Sequence, residues 1–309
     1  MVEVDPDRDG QRLDNFLLGQ LKGVPRSMVY RLVRSGQVRV DGARCKPDQR
    51  LLAGQTVRIP PVREASAGAP IAASASTLEM LEQAILFEDE DLLVLNKPSG
   101  LAAHGGSGVS YGAIEALRQL RPQARLELVH RLDRDTSGLM LVAKRRPVLL
   151  ALQESLREGQ VDKRYLSLLV GRIERDRFDV NAPLRKQVLS GGERMVQVAS
   201  DGKASLSRYR VLERFASCTL VEVKIETGRT HQIRVHSQHA GHPVAGDGKY
   251  GDAEGNRLLR QAGLDRLFLH AASMKVRLPG NAQDSLWSAP LPGSLHQVLV
   301  NLRAQVGQS

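Results

Sequence analysis

The sequence predicts an α+β protein with a mostly antiparallel, mixed sheet, preceded by a small α/β domain. From Leu78 onward, strand-like apolar runs outnumber helical segments and do not alternate with them regularly, which argues against a Rossmann-type fold. Residues 61–77 are rich in Pro, Ala and Ser, which predicts a flexible linker. We therefore predict domains at 1–60 and 78–309, joined by the linker 61–77.

Composition excludes several classes of protein. The 309 residues contain no run that approaches the roughly eighteen apolar residues of a membrane span. The first ten residues are polar and acidic, unlike a secretory signal. Only two cysteines are present, Cys45 and Cys218, so no disulfide framework or four-cysteine zinc site can form. We expect a cytoplasmic protein that does not associate with membranes.

The first domain combines two predicted helices with a basic charge. Apolar residues at helical spacing predict both helices, the second beginning near Pro25 and ending at Gly36. The segments "QVRVDG" and "QTVRIP" predict two strands. Residues 11–60 hold ten Lys or Arg and three Asp, and thus +7 of the net charge of +10. This concentration favours a domain that binds RNA phosphates over a merely solvated basic face.

Three segments of this domain, "RLDNFL", "SMVYRLVRSGQVRVDG" and "AGQTVRI", resemble the S4-type RNA-binding domain. The resemblance implies a basic helical face that binds structured RNA. RNA helices are recognised mainly by shape and phosphate contacts, which suits such a face. We expect the contacting residues to include Arg26, Arg31, Arg34 and Arg39.

In the second domain, "RPVLLALQESLREG" predicts a helix with Pro147 near its start and Gly159 past its end. A later helix is predicted to start at Thr230 as N-cap and to stop before Gly241. Strands are predicted at 163–170, 194–198, 205–213 and 218–226.

The segment "HRLDRDTSG" (130–138) connects two apolar strands and holds two carboxylates, Asp133 and Asp135. Two such acids could serve a glycosidase. However, sugar clefts usually offer aromatic platforms, and this chain is 4% aromatic with one Trp. A surface turn held by ion pairs is the plainer alternative.

His236, His239 and His242 recur every three residues, which could indicate a zinc site. Gly241 and Pro243 interrupt the helix, and no nearby acid or Cys completes the ligand set. We therefore expect no metal.

Five motifs in order resemble those of the RluA-type pseudouridine synthases: "NKPSG" (96–100), "HRLDRDTSGLMLVAK" (130–144), "DKRYLSL" (162–168), "TGRTHQIRVH" (227–236) and "AGHPVAGDGKYG" (240–251). The resemblance covers nearly the whole chain and is strongest to members that modify large-subunit (23S) ribosomal RNA. It implies an isomerase that converts uridine to pseudouridine: the N1–C1′ bond breaks, the uracil rotates and C5–C1′ forms.

The resemblance assigns the catalytic carboxylate to Asp133 and its ion-pairing arginine to Arg234. It places Tyr165 against the target base, where the hydroxyl could move a proton at C5. Whether Asp133 attacks the sugar, attacks the base or deprotonates the 2′ carbon is left open.

By the same resemblance, Arg131 fills the space left by the flipped uridine and Ile233 packs on the other side of the pocket. Arg229 and His231 are expected to contact the RNA substrate, and Arg134 and Asp135 to shape the loop.

The isomerisation needs no redox change or group transfer, so no cofactor is expected, and we expect a monomer without an obligate protein partner. The alternative function is a non-catalytic rRNA-binding factor in ribosome assembly.

Overall fold

The chain divides into two units, Met1–Ala72 and Ala73–Ser309. The computed structural model describes residues 1–21, 24, 26–61, 72–106, 111–188 and 194–306. Most of the predicted linker, 61–77, lies outside these ranges. Its last residues enter a helix, because the Ser74 hydroxyl accepts a hydrogen bond from the backbone N–H of Thr77 and caps that helix.

The first unit packs two helices on a small sheet. Its elements are β1 (Val2–Glu3), α1 (Leu13–Gln20), α2 (Arg26–Arg34), β2 (Arg39–Val40) and β3 (Thr56–Arg58). The strands run antiparallel in the order β1-β3-β2. The unit has its own apolar core, which includes Phe16, Leu17 and Val29. Both helices and two strands follow the prediction, whereas β1 was not predicted because two residues carry no readable alternation.

The second unit contains twelve strands and six helices among its described residues. In chain order they are α3 (Ala75–Gln83), β4 (Ile85–Glu88), β5 (Leu92–Lys97), α4 (Ala113–Leu120), β6 (Glu127–Leu128), β7 (Ser137–Ala143), α5 (Arg146–Arg157), β8 (Asp162–Val170), β9 (Arg177–Asn181), β10 (Leu184–Val188), β11 (Arg194–Val198), β12 (Leu206–Arg214), β13 (Cys218–Ile225), α6 (Gln232–His239), α7 (Ala253–Arg260), β14 (Leu269–Arg277), β15 (Asp284–Ser288) and α8 (Gly293–Val306).

Ten of these strands form one sheet, in the order β4-β5-β7-β14-β8-β13-β12-β9, with β6 also paired to β7 and β15 to β14. Among the strands that the structure describes, only β7 and β14 pair in parallel, so the predicted mostly antiparallel mixed sheet is confirmed. Strands β10 and β11 form a separate hairpin. Within the described ranges, no helix is long and apolar enough to cross a bilayer.

Helix α5 begins and ends where Pro147 and Gly159 predict. Pro147 lies in its first turn, and Gly159 lies beyond its end with a φ of +74°. Helix α6 differs from the prediction. It begins at Gln232, and its N-cap is His231 in the left-handed region (φ 53°), not Thr230. Tertiary contacts of Gln232, described below, hold this irregular start.

Gly138, the second residue of β7, lies in the only parallel pairing of the sheet that the structure describes, opposite Ala271 of β14. Its φ is +111°, and a Cβ added there would lie 2.3 Å from the carbonyl oxygen of Ala271 on β14. Only glycine allows both this backbone conformation and this close approach. Glycine at this position therefore allows the start of β7 to approach β14 closely, directly after the loop that precedes it.

Gly138→Ala should lower the free energy of unfolding of the second unit by about 3–5 kcal/mol, from backbone strain and steric overlap together. Gly159→Ala is the matched control, because its φ is also positive but nothing lies within 4 Å of the added Cβ. It should cost about 1 kcal/mol. Urea unfolding followed by the fluorescence of Trp287, the single tryptophan, reports on the second unit. Equal losses in the two variants would refute the close-approach argument.

Candidate active site

A small cleft in the second unit brings together residues from the three predicted catalytic motifs. Asp133 comes from the loop before β7, Tyr165 from β8, and Ile233 and Arg234 from α6; all four line a cavity of about 70 Å³. A wider groove of about 600 Å³ shares Asp133 with this cavity. Asp133 thus lies where an open groove meets an inner pocket.

The loop that carries Asp133 is held through its backbone. The buried Lys97 ammonium donates to the carbonyl oxygens of Pro98 and Leu101, both at 2.7 Å, and of Arg134 at 3.1 Å. Ser99 Oγ donates to the carbonyl of Asp135 at 2.7 Å. Burial, reinforced by a neighbouring arginine charge, lowers the pKa of Lys97 to about 7. Lys97 thus fixes the loop through three backbone carbonyl oxygens and not through the carboxylates of Asp133 and Asp135.

A second anchor holds the far end of the loop. Arg266 Nη2 donates to Ser137 Oγ at 2.8 Å, and that oxygen lies 3.0 Å from Nδ1 of the buried His270. The other ring nitrogen of His270 lies 3.2 Å from the carbonyl of Ala289. Burial lowers the pKa of His270 to about 4, so this histidine is neutral at neutral pH.

Two nitrogen atoms face the same oxygen of Asp133. Arg234 Nη1 lies 3.7 Å and His231 Nε2 lies 3.8 Å from Asp133 Oδ2. The Asp133 side chain keeps 28% of its surface exposed, whereas that of Arg234 keeps 8%. A partly exposed carboxylate therefore lies beside a buried and permanently charged cation.

Arg234 is oriented by a different carboxylate, Asp247. Its Nε and Nη2 donate to Asp247 Oδ2 and Oδ1 at 2.7 and 2.8 Å. The backbone N–H groups of Lys249 and Tyr250 also donate to Asp247 Oδ1. Burial alone would raise the pKa of Asp247, but the hydrogen bonds and charge of Arg234 outweigh it and keep that pKa below its ordinary value. With two nitrogens so engaged, the guanidinium presents Nη1 to Asp133.

Tyr165 is buried in the middle of the sheet, on β8, opposite Val223 of β13 and Ala271 of β14. Burial raises the pKa of its hydroxyl, and the nearby charge of Asp133 raises it further. The hydroxyl is therefore a proton donor, not a phenolate, at neutral pH.

Other predicted site residues also line these cavities. Ile233 is buried in the inner pocket, and Arg229 is exposed at its edge. Arg131 is exposed, and its Nη1 lies 3.5 Å from His104 Nε2 across the groove. Arg134 and Asp135 form an exposed ion pair at 3.0 Å, the mutual contact expected of loop-shaping residues.

The three regularly spaced histidines do not converge on a metal. His236 is fully buried, with Nδ1 2.9 Å from Ser207 Oγ and Nε2 2.9 Å from the carbonyl of Ala182. His242 Nδ1 instead lies 3.0 Å from the carbonyl of Val170. Across the described ranges, no group of three or more His, Cys, Asp or Glu is placed to hold a metal ion.

The predicted RNA-binding residues of the first unit lie on α2 or next to it. Arg31 and Arg34 are exposed. Arg39 is half-buried, and its Nε donates to the carbonyl of Gly36 at 2.9 Å. Arg26 is the first residue of α2, and its side chain lies outside the described part of the chain.

Sequence reasoning missed the supporting residues Lys97, Asp247 and Tyr250. All three lie in motifs that were recognised, "NKPSG" and "AGHPVAGDGKYG". Their presence in those motifs was the available signal. Their roles depend on contacts between segments far apart in the chain.

Comparison with known families matches both units. The family described as RNA pseudouridylate synthase matches residues 91–239, and the S4 domain matches residues 11–57. The chain is 53% identical over 304 residues to ribosomal large subunit pseudouridine synthase C of Haemophilus ducreyi, covering 98% of this chain and 95% of that protein. It is 52% identical over 307 residues to the protein of the same name from Escherichia coli strain K12, covering 98% and 96%.

A solved structure of human RNA pseudouridylate synthase domain containing 4 superimposes with a TM-score of 0.60 at 28% identity, covering 74% of this chain and 96% of that one. Human RNA pseudouridylate synthase domain containing 1 gives 0.57 at 28% identity, covering 75% and 98%. With identity above 50% over nearly the full length and a matching family, this chain belongs to the RNA pseudouridylate synthases, and it is an isomerase with an S4 domain at its N-terminus.

Proposed function

We propose that this chain isomerises uridines of large-subunit ribosomal RNA to pseudouridine, with Asp133 as the catalytic carboxylate. The observation that carries this proposal is the position of Asp133 between the open groove and the inner pocket, beside an arginine that Asp247 holds in place. The two bacterial relatives described above are named as large-subunit enzymes, which supports the choice of RNA.

Asp133 supplies the electron pair that the reaction needs. Breaking N1–C1′ leaves electron deficiency at the sugar and an electron pair on the uracil. A carboxylate can assist by attacking the sugar as the base departs, by adding to the base before this bond breaks, or by removing the 2′ proton. When C5–C1′ has formed, C5 loses its proton and N1 gains one, so the reaction is balanced without an added reactant.

Arg234 and Tyr165 complete the proposed site. The guanidinium of Arg234 supplies a permanent positive charge beside Asp133 and is already oriented before substrate arrives, which limits reorganisation during the reaction. Tyr165 offers a ring against which uracil can stack, and its protonated hydroxyl can relay the proton lost from C5 by accepting it while giving up its own. Ile233 closes the pocket with an apolar surface.

The groove suits an extruded nucleotide with its flanking phosphates. Its lining includes five cationic side chains and two acids, Asp133 and Asp135; the cations are Arg131, Arg134, Lys186, Arg234 and Lys249. The glycosidic bond is inaccessible within a stacked helix, so the uridine must be flipped into the pocket. To the exposed Arg131, which lines the groove, we assign the role of filling the position that the flipped uridine leaves in the RNA.

We also infer that the chain acts as a monomer without an obligate protein partner. Among the described residues, the exposed large apolar side chains come from separate elements, as with Leu86 on β4, Leu150 on α5 and Leu286 on β15. Single exposed apolar residues do not make an interface.

Asp133→Asn should abolish pseudouridine formation while RNA affinity stays within a few-fold, because the amide removes the reactive charge but little volume. Asp135→Asn is the matched control, since it loses only a solvent-exposed ion pair with Arg134, worth at most about 1 kcal/mol. The measurement is single-turnover tritium release from 5-tritiated rRNA, with filter binding for each variant. Equal loss in both would contradict the one-carboxylate mechanism. Inactivity of the unmodified chain itself would favour the assembly-factor alternative.

Tyr165→Phe keeps the ring and removes the hydroxyl, whereas Tyr165→Leu removes both. We expect Phe to retain RNA affinity and slow the single-turnover rate by about 10²–10⁴-fold, the range typical of a lost general acid or base. Leu should weaken binding as well, by about 1–3 kcal/mol for a lost stacking partner. Near-normal rates in both variants would show that Tyr165 only fills the core.

Replacing Arg31 and Arg34 together with Gln should weaken rRNA binding and make it less sensitive to salt. Each lost phosphate contact lowers the slope of log K against log salt by about 0.7–0.9. Arg145→Gln is the control, because this exposed arginine is already paired with Asp91 at 2.9 Å. The measurement is filter binding between about 50 and 200 mM salt, the range over which such contacts are resolved. An unchanged slope would exclude an RNA role for α2.

A further inference from the structure

His231 adopts a backbone conformation that is uncommon for any residue but glycine. Its φ is 53°, and within the described ranges Asp41 is the only other non-glycine residue with positive φ. Such conformations concentrate at functional sites, where surrounding contacts hold them. The left-handed turn places the imidazole of His231 beside Asp133, with Nε2 3.8 Å from Oδ2.

Contacts of the next residue, Gln232, hold this turn. Gln232 Oε1 accepts hydrogen bonds from Thr227 Oγ1 at 2.7 Å and from the backbone N–H of Arg229 at 3.0 Å. Its Nε2 donates to the carbonyl of Leu206 at 3.0 Å and to Ser207 Oγ at 3.1 Å. The buried amide thus joins the start of α6 to β12, and the position of His231 is determined before substrate binds.

Tyr250 determines which ring nitrogen of His231 carries the proton. The Tyr250 hydroxyl accepts a hydrogen bond from the backbone N–H of Val196 at 3.0 Å and lies 2.8 Å from His231 Nδ1. The hydroxyl oxygen accepts from Val196, and Nε2 of His231 faces the Asp133 carboxylate; a proton donated from the hydroxyl to Nδ1 satisfies both arrangements. With Nδ1 as acceptor, a neutral imidazole must carry its proton on Nε2, the nitrogen that faces Asp133.

We propose that His231 is a positioning residue that presents a neutral Nε2–H donor to Asp133 Oδ2, with its tautomer set by Tyr250. This role rests on Asp133 being the catalytic carboxylate. Arg234 Nη1 lies 3.7 Å from the same oxygen, so both nitrogens approach the carboxylate from the side of Oδ2. In the proposed role, Nε2 moves from 3.8 Å into hydrogen-bond range when the substrate binds, as catalytic contacts commonly do.

A neutral donor suits a carboxylate that must react. Arg234 already places one permanent positive charge beside Asp133, and a second cation would weaken the carboxylate as nucleophile or base. Burial lowers the pKa of His231, against the opposing influence of Asp133 and with that of Arg234 and Lys249, so the neutral form is favoured at neutral pH. Asp247 also opposes this shift, but it is the smallest of these influences, and its charge is balanced by its pairing with Arg234.

The tautomer can be observed directly by nitrogen-15 NMR of the full chain with labelled histidine. At neutral pH we expect the signals of His231, assigned by their loss in His231→Asn, to show an unprotonated Nδ1 and a protonated Nε2. Tyr250→Phe keeps the ring near Arg234 but removes the hydroxyl proton, and it should move both signals toward a mixture of tautomers. A protonated Nδ1 in the unmodified chain, or no change in Tyr250→Phe, would overturn the assignment.

The effect on the reaction separates positioning from packing. Gln can place an amide N–H near the position of Nε2, whereas Asn tolerates the left-handed backbone but is too short. We expect His231→Asn to lower the single-turnover rate at saturating enzyme by about 10–100-fold with RNA affinity nearly unchanged, and His231→Gln to recover much of that loss. Tyr209→Phe is the control, because its buried hydroxyl bonds Ser237 on the same helix without facing Asp133.

A full rate in His231→Asn, or no advantage of Gln over Asn, overturns the positioning role. If Asp133→Asn is inactive in the same assay, that failure concerns His231 alone; an active Asp133→Asn refutes the proposed function and this role together. If the His231 variants unfold, as judged by Trp287 fluorescence, Tyr250→Phe tests the positioning role instead. The readouts are then the tautomer of His231 and the single-turnover rate in that variant.

Discussion

The buried ion pair between Arg234 and Asp247 is the interaction on which the site depends. Asp247 accepts four hydrogen bonds, two from the guanidinium and two from the backbone that follows it. Removing one partner of such a pair leaves an uncompensated buried charge and typically costs about 3–5 kcal/mol. The arrangement fixes the guanidinium plane, and the same arginine stacks 5.0 Å over the ring of Tyr250. Because these contacts hold the cation, Arg234 can face Asp133 without being drawn fully into pairing with it.

A rigid sheet carries a site that is built mainly on loops. Asp133 lies on a loop that Lys97 and Arg266 hold on its C-terminal side. His231 lies on a turn that Gln232 holds. Tyr165, by contrast, sits within a central strand. Loops offer reactive groups that strands cannot expose, but they need such ties to keep a reactive geometry. The polar groups that support the site are buried and hydrogen-bonded, which limits their motion.

Charge is used differently in the two units. In the first, exposed arginines on α2 are available for phosphates, and their contribution to binding is expected to fall with salt. In the second, basic side chains line the groove, while the inner pocket adds apolar walls from Leu132, Ile225 and Leu269. Under the proposed function, electrostatic attraction serves RNA capture and the partly apolar pocket serves the chemistry, where each remaining charge acts more strongly.

Local patterns in the sequence were sufficient to predict several secondary-structure elements and the candidate catalytic residues. Strand β11 and helix α5 follow from alternation and from Pro147 and Gly159, because these patterns act over a few neighbouring residues. The motifs likewise named Asp133, Tyr165 and Arg234 as candidates, and the structure places them around one cleft. Tertiary structure alone decided that α6 starts after a left-handed His231, that His236 belongs to the core, and that Asp247 orients Arg234. Each of these depends on hydrogen bonds between segments that are distant in the sequence. The free energies of these bonds compete with local conformational preferences, and such bonds produce no periodic pattern from which they could be predicted.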